Sequence, residues 1–108
     1  MKTSRIVGFV EMAFLTLLIF LLQVMPVKAN ETFTIGITQF AEHPALDAVR
    51  QGFEDELKAQ GVDANIIYKN SQGDTGVAGV IAQKFVADKV DLIFGIATIS
   101  AQTAKQAT

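Results

Sequence analysis

Several residue types are scarce in this chain of 108 residues. It has no cysteine, no tryptophan, one histidine and two prolines. The missing cysteines exclude disulfides, thiolate nucleophiles and thiolate metal ligands, and one histidine is too few for an ordinary zinc site, so we expect no metal. Nine Lys and Arg residues face eleven Asp and Glu residues, for a net charge of −2. We therefore expect no nucleic-acid partner, because no basic stripe could hold phosphates.

The N-terminal segment has the layout of a secretory signal peptide. Lys2 and Arg5 form a basic start, and residues 12–25 are a dense apolar run. Val27 and Ala29 then place small residues at the −3 and −1 positions of a cleavage site. We predict a signal peptide at residues 1–29, cleaved after Ala29.

A retained membrane anchor is the alternative for this segment. Ile6 to Val27 is long enough for a span, which needs ~20 apolar residues. Glu11 is its only charge, and an acidic side chain near the middle of a span costs on the order of 2.5–3.5 kcal/mol. With either outcome, residues 30–108 are expected to leave the cytoplasm, in the periplasm or on the outer face of the cytoplasmic membrane.

The remaining residues alternate between strand and helix patterns. The predicted strands are residues 32–39, 63–70 and 90–97, the last a continuous apolar run of the kind buried on both faces of a sheet. The predicted helices are residues 44–60, 75–89, and a third that opens with Thr98 or Ser100 as its cap. This β-α-β-α-β-α order predicts an α/β fold with an open parallel sheet and helices on both faces.

Apolar stripes predict which face of each helix is buried. In the first helix, residues recur at spacings of three and four: Leu46, Val49, Phe53 and Leu57. In the second helix, which Asp74 can cap, the stripe is Val77, Val80, Ile81, Phe85 and Val86.

Three polar connections are expected at one edge of this sheet. They are "QFAEHP", "NSQGD" and "ATISAQ", and each follows the carboxyl end of a predicted strand, where open α/β sheets bind ligands. Neither G-x-G-x-x-G nor G-x-x-x-x-G-K occurs, so we expect no nucleotide cofactor.

The types of residue in these connections suit an amino acid. The hydroxyls of Thr98 and Ser100, beside free N–H groups at a helix start, suit a carboxylate. Glu42 could hold an ammonium group, and Phe40 is better placed than Tyr68, which lies within a strand, to form an apolar wall. An enzyme that uses His43 with Glu42 or Asp47 is a further hypothesis, but no nucleophile motif accompanies it.

Longer motifs resemble a known family. "IGITQFAEHPALDAVRQGFEDELKAQG", "YKNSQGD" and "IAQKFVADKVDLIFGIATISAQTAKQAT" resemble the N-terminal region of bacterial ABC-transporter substrate-binding proteins of the tryptophan/tyrosine type. The resemblance covers nearly all of the chain after the signal. It implies a periplasmic binding protein of type 1, with two lobes that close on a small amphipathic solute and deliver it to a membrane permease.

The resemblance also implies a set of ligand contacts and no catalytic residue. These contacts are Gln39, Phe40, His43, Asn70, Thr98, Ser100 and Ala101. Thr98, Ser100 and the Ala101 amide would hold the carboxylate. Ile99 stands where the family usually has Pro, which would pre-set the helix start.

The resemblance predicts that the chain is an N-terminal fragment, because it matches only the first lobe. We expect such a fragment to bind weakly or not at all, and the full-length protein to be a monomer. An extracytoplasmic sensor module of a membrane receptor is the alternative to the transport function. The identity of the solute is not predicted beyond an aromatic amino acid.

Overall fold

The chain forms four helices and three strands in the part that the structure, a computed structural model, describes: residues 2–23 and 32–108. The helices are α1 (Lys2–Gln23), α2 (Pro44–Ala59), α3 (Thr75–Ala87) and α4 (Thr98–Ala107). The strands are β1 (Phe33–Gln39), β2 (Ala64–Asn70) and β3 (Leu92–Ile96). The predicted alternation of strands and helices is therefore confirmed.

The N-terminal helix α1 contributes no buried side chain over residues 8–21, the part of it whose burial is described. Its side chains from Gly8 to Leu21 are exposed. Within the described residues, no helix combines the length and the apolar character that crossing a membrane requires. The predicted cleavage site at Val27 to Ala29 lies outside the described residues.

The sheet is parallel throughout, and its strand order is β2-β1-β3. The first strand is thus the central one. It is buried from Ile35 to Gln39, although Thr34, Gly36 and Thr38 alternate with its apolar residues. Alternation within β1 does not mark a solvent-facing side, because helices cover both faces of a sheet built in this way.

The prediction that the third strand is buried on both faces is wrong. β3 is an edge strand, with Leu92 50% exposed and only Ile96 buried. It is also shorter than predicted, since Val90, Asp91 and Ala97 lie outside it. Its position next to one neighbour, rather than its apolar composition, determines how much of it water reaches.

One face of the sheet packs against α2. Ile35, Ile37 and Ile96 form the buried cluster there. The α2 side chains that pack on this cluster are Leu46, Phe53 and Leu57, of which the Phe53 ring stacks on Phe94 at a centroid distance of 4.2 Å. These three members of the predicted stripe are confirmed as partly buried, whereas Val49 is exposed.

The opposite face packs against α3 and α4, and here the predicted stripe is mostly wrong. The buried residues of α3 are Ala78, Ala82 and Phe85. The valines predicted to be buried are exposed: Val77, Val80 and Val86. Small alanines let the helix approach its neighbours closely, so the face that packs best is not the most apolar one.

Candidate functional site

The carboxyl ends of the three strands meet at one edge of the sheet. Gln39, the last residue of β1, pairs with Asn70 of β2 on one side and Ile96 of β3 on the other. The connections that follow, residues 40–43, 71–74 and 97, therefore start beside one another. The predicted grouping of the three polar connections at one edge is confirmed by this register.

Helix α4 begins directly against the sheet at this edge. A Cβ atom at Gly95 would lie 2.8 Å from the Ala101 Cα atom and 2.9 Å from its nitrogen. Only glycine leaves room for such a close approach of a helix backbone to a strand. The start of α4 is thereby held close to β3, the strand that pairs with β1.

The cap of α4 differs from the prediction that Thr98 or Ser100 would supply it. The N-cap residue is Ala97, which has no side-chain hydrogen bond to give. Its backbone has φ +79° and ψ 159°, a region that costs a non-glycine residue about 1–3 kcal/mol. Strain of this kind collects at ligand sites, where the surrounding structure holds it in place.

The hydrogen-bonding capacity at the start of α4 is left unused. Ala101 N–H donates to the Ala97 carbonyl at 3.1 Å, so in this structure the amide expected to hold a carboxylate is used within α4. The amides that precede this first intrahelical bond belong to Thr98, Ile99 and Ser100. Ser100 is 0% exposed, and its Oγ has no hydrogen-bond partner among the described residues.

Gln39, predicted as a ligand contact, is turned into the protein. It is fully buried, and its Nε2 donates to the Ala41 carbonyl and to Asp47 Oδ1, both at 2.8 Å. These two bonds fold the residue 40–43 loop back onto the first turn of α2. Its other amide atom, Oε1, is buried without a partner in the described part of the chain.

His43 ends the same loop as the N-cap of α2. Its Nδ1 accepts a hydrogen bond from Ala45 N–H at 3.1 Å, and Pro44 occupies the first turn. The side chain is exposed. A structural use for Nδ1 is thus present, and the other ring nitrogen is left for any ligand.

Asn70 and Phe40 belong to two neighbouring parts of this edge: Asn70 ends β2, and Phe40 begins the loop after β1. Asn70 Oδ1 accepts from Gln72 N–H at 2.7 Å, and its Nδ2 donates to Tyr68 Oη at 3.1 Å. Phe40 is half-buried, and its carbonyl accepts from Gly73 N–H at 2.7 Å and from Ser71 Oγ at 2.9 Å. The loops after β1 and β2 are therefore joined by direct hydrogen bonds.

Ser71 is the residue that sequence reasoning missed. It is 0% exposed, although it sits in a connection that reads as a solvated polar turn. No sequence signal separates it from the exposed Gln72 beside it. Among the described residues, no group of three or more His, Asp or Glu side chains is placed to hold a metal ion.

Comparisons with known proteins agree with this architecture. Residues 34–108 match the family model described as ABC transporter substrate binding protein. Over 78 residues the chain is 46% identical to a tyrosine-binding protein of Clostridioides difficile strain R20291, which covers 68% of this chain and 23% of that protein. The chain belongs to the family of ABC transporter substrate-binding proteins, whose members are binding proteins.

Two solved structures are similar in fold and sequence. One is a ligand-free, open substrate binding protein with adhesive properties from Clostridium difficile, with TM-score 0.70, 48% identity, and coverage of 71% of this chain and 28% of that one. The other is a Streptococcus pneumonia ABC domain in complex with L-Trp, with TM-score 0.69, 36% identity, and coverage of 72% and 28%. The chain thus spans about a quarter of the length of these relatives.

Proposed function

We propose that this chain is the first part of an extracytoplasmic solute-binding protein that captures an aromatic amino acid for an ABC importer. The observation that carries the proposal is the unused polar capacity at the start of α4, at the sheet edge where the loop that holds Phe40 also begins. The Ser100 hydroxyl and the first amides of α4 can donate hydrogen bonds to a carboxylate, and helix N-termini favour such a negative charge. The half-buried Phe40, in the loop that follows the neighbouring strand β1, offers an aromatic surface at the same sheet edge.

The proposed contacts are the residues predicted from the sequence, with two changes of role. Phe40, His43, Asn70, Thr98 and Ser100 are the side chains proposed to touch the solute. Gln39 acts by shaping the loop, and Ala101 by its close packing on Gly95, which sets where α4 begins. Ile99 contributes an amide where a proline would have none.

The relatives support the class of solute. One is named as a tyrosine-binding protein, and a solved neighbour is in complex with L-Trp. Because the matched segment is about a quarter of those proteins, the remaining contacts belong to parts outside this chain. We further propose export through a cleaved signal at residues 1–29, a monomeric full-length protein, delivery to a membrane permease, and no catalysed reaction.

Calorimetric titration of the full-length protein tests this function. L-Tyrosine, L-tryptophan and L-phenylalanine are expected to bind more tightly than L-leucine, because only they can stack on an aromatic side chain. Tyramine, which lacks the carboxylate, is the matched control and is expected to bind at least about tenfold more weakly, since one charge-assisted hydrogen bond is worth about 1.5–3 kcal/mol. Binding of tyramine as tight as that of tyrosine, or no binding of any amino acid, would contradict the proposal.

A further inference from the structure

The carbonyl of Phe40 is held by two donors from the neighbouring loop. Ser71 Oγ donates to it at 2.9 Å, and Gly73 N–H donates at 2.7 Å. Ser71 N–H also donates to the carbonyl of Gln39 at 3.0 Å. The peptide groups before and after Phe40 are therefore both hydrogen-bonded to the connection between β2 and α3.

The loop that supplies these donors is itself held by several hydrogen bonds. Asn70 Oδ1 accepts from Gln72 N–H at 2.7 Å, and Asp74 N–H donates to the Ser71 carbonyl at 3.0 Å. Asp74 in turn caps α3, through a 3.0 Å bond from Val77 N–H to its Oδ1. The Ser71 hydroxyl thus approaches Phe40 from a turn that is anchored at both ends.

The loop that carries Phe40 is anchored on its far side as well. Gln39 Nε2 bonds to Ala41 and Asp47 at 2.8 Å, and His43 caps α2. Phe40 therefore lies between two sets of anchors, and the direction of its Cα–Cβ bond follows from a main chain that is hydrogen-bonded on both sides. Ser71 is fully buried and its hydroxyl is already donated to the Phe40 carbonyl, whereas the buried Ser100 Oγ has no such partner among the described residues, so Ser71 is not proposed to bind the solute itself.

We propose that Ser71 is a positioning residue that sets the Phe40 ring and thereby the preference of the site for aromatic over aliphatic amino acids. This inference rests on the proposed function. Loss of the Ser71 hydroxyl leaves the Phe40 carbonyl with one donor instead of two, which frees the loop to move. An aromatic solute loses more from this than an aliphatic one, because stacking depends on ring orientation.

The test is a double-mutant cycle with Ser71→Ala and Phe40→Ala in the full-length protein. The measured quantity is the dissociation constant for L-leucine divided by that for L-tyrosine. Ser71→Ala is expected to lower this ratio about three- to tenfold, the range that one hydrogen bond of about 0.5–1.5 kcal/mol supports. In the Phe40→Ala background the same change is expected to leave the ratio unaltered, because the ring through which Ser71 acts is gone. Ser71→Thr, which keeps the hydroxyl, is expected to restore most of the ratio.

Thr103→Val is the matched control, since it also removes a buried hydroxyl. In the part of the chain that the structure describes, its Oγ1 bonds to two carbonyls of its own helix, those of Ile99 and Ser100. This variant is expected to lower the melting temperature without changing the ratio. If Ser71→Ala does not fold, Ser71→Cys, which has a weaker donor of similar size, takes its place in the cycle.

The outcomes separate the two proposals. A Ser71→Ala variant that weakens leucine and tyrosine equally, or that acts equally in both backgrounds, overturns the positioning role while the proposed function stands. A wild-type protein that binds no amino acid overturns both.

Discussion

Phe85 of α3 lies directly over Gly36 of the central strand. A Cβ atom at Gly36 would lie 2.7 Å from Phe85 Cδ2 and 2.8 Å from Cγ, and the Phe85 side chain is only 2% exposed. Gly36→Ala is therefore expected to lower the free energy of unfolding by about 1–3 kcal/mol, the usual cost of overpacking. Urea unfolding followed by circular dichroism measures it.

Two further variants check this explanation. Gly52 lies in the exposed part of α2 with open space around its Cα, so Gly52→Ala is expected to stabilise the protein by about 0.5–1 kcal/mol. Adding Phe85→Leu to Gly36→Ala is expected to cost less than the sum of the single changes, because the two residues are in contact. Simple additivity would count against the overpacking.

Ala97→Gly is expected to stabilise the ligand-free protein. The residue has φ +79° and ψ 159°, which glycine adopts without steric cost. Relief of about 1–3 kcal/mol of strain exceeds the added backbone entropy of a glycine, about 0.5–1 kcal/mol. The melting temperature measures the effect. The control is Ala104→Gly, inside α4, which is expected to lower the free energy of unfolding by about 1 kcal/mol. Equal losses in both variants would refute the strain.

His43→Ala is expected to lower the free energy of unfolding by about 1 kcal/mol, because α2 loses the acceptor that binds Ala45 N–H. His43→Ser is expected to restore most of this stability, since serine is a preferred N-cap. Affinity for an aromatic amino acid separates the two roles of the residue. Because His43 is proposed to touch the solute, both variants are expected to lose affinity. Affinity restored by serine would leave His43 as a helix cap alone.

Ser100→Ala is expected to change stability and binding in different directions. In the ligand-free protein it removes a buried hydroxyl without a partner, which is neutral or stabilising. It is expected to weaken binding of an aromatic amino acid by about 1–2 kcal/mol, because the carboxylate loses a donor. Thermal melts without solute and calorimetry with it give the two quantities. A large loss of stability with unchanged affinity would remove Ser100 from the site.

Processing of the N-terminal segment is tested by intact-mass measurement of the exported protein. Cleavage after Ala29 predicts a mature chain that begins at Asn30. Ala29→Lys is expected to block the cleavage, because the signal requires a small residue there. Recovery of residues 1–29 on a membrane-bound protein would favour the retained anchor.

Local sequence patterns predicted the elements well because each depends on neighbouring residues. The caps at His43 to Pro44 and at Asp74 begin α2 and α3 where a proline or a capping side chain predicts a helix. The family motifs likewise identified the resemblance that the matched family model confirms. The cap of α4 escaped prediction, because its strained Ala97 carries no side-chain signal.

The sequence by itself determined the order of strands and helices and placed three polar loops at one edge, since parallel strands joined by helices bring their carboxyl ends together. Only the tertiary structure decided that β1 is central, that the alanine face of α3 is buried, and that Gln39 and Ser71 turn inward. These outcomes depend on contacts between residues far apart in the chain, such as Phe85 on Gly36 and Ser71 on Phe40. Periodicity within one segment carries no record of what packs against it.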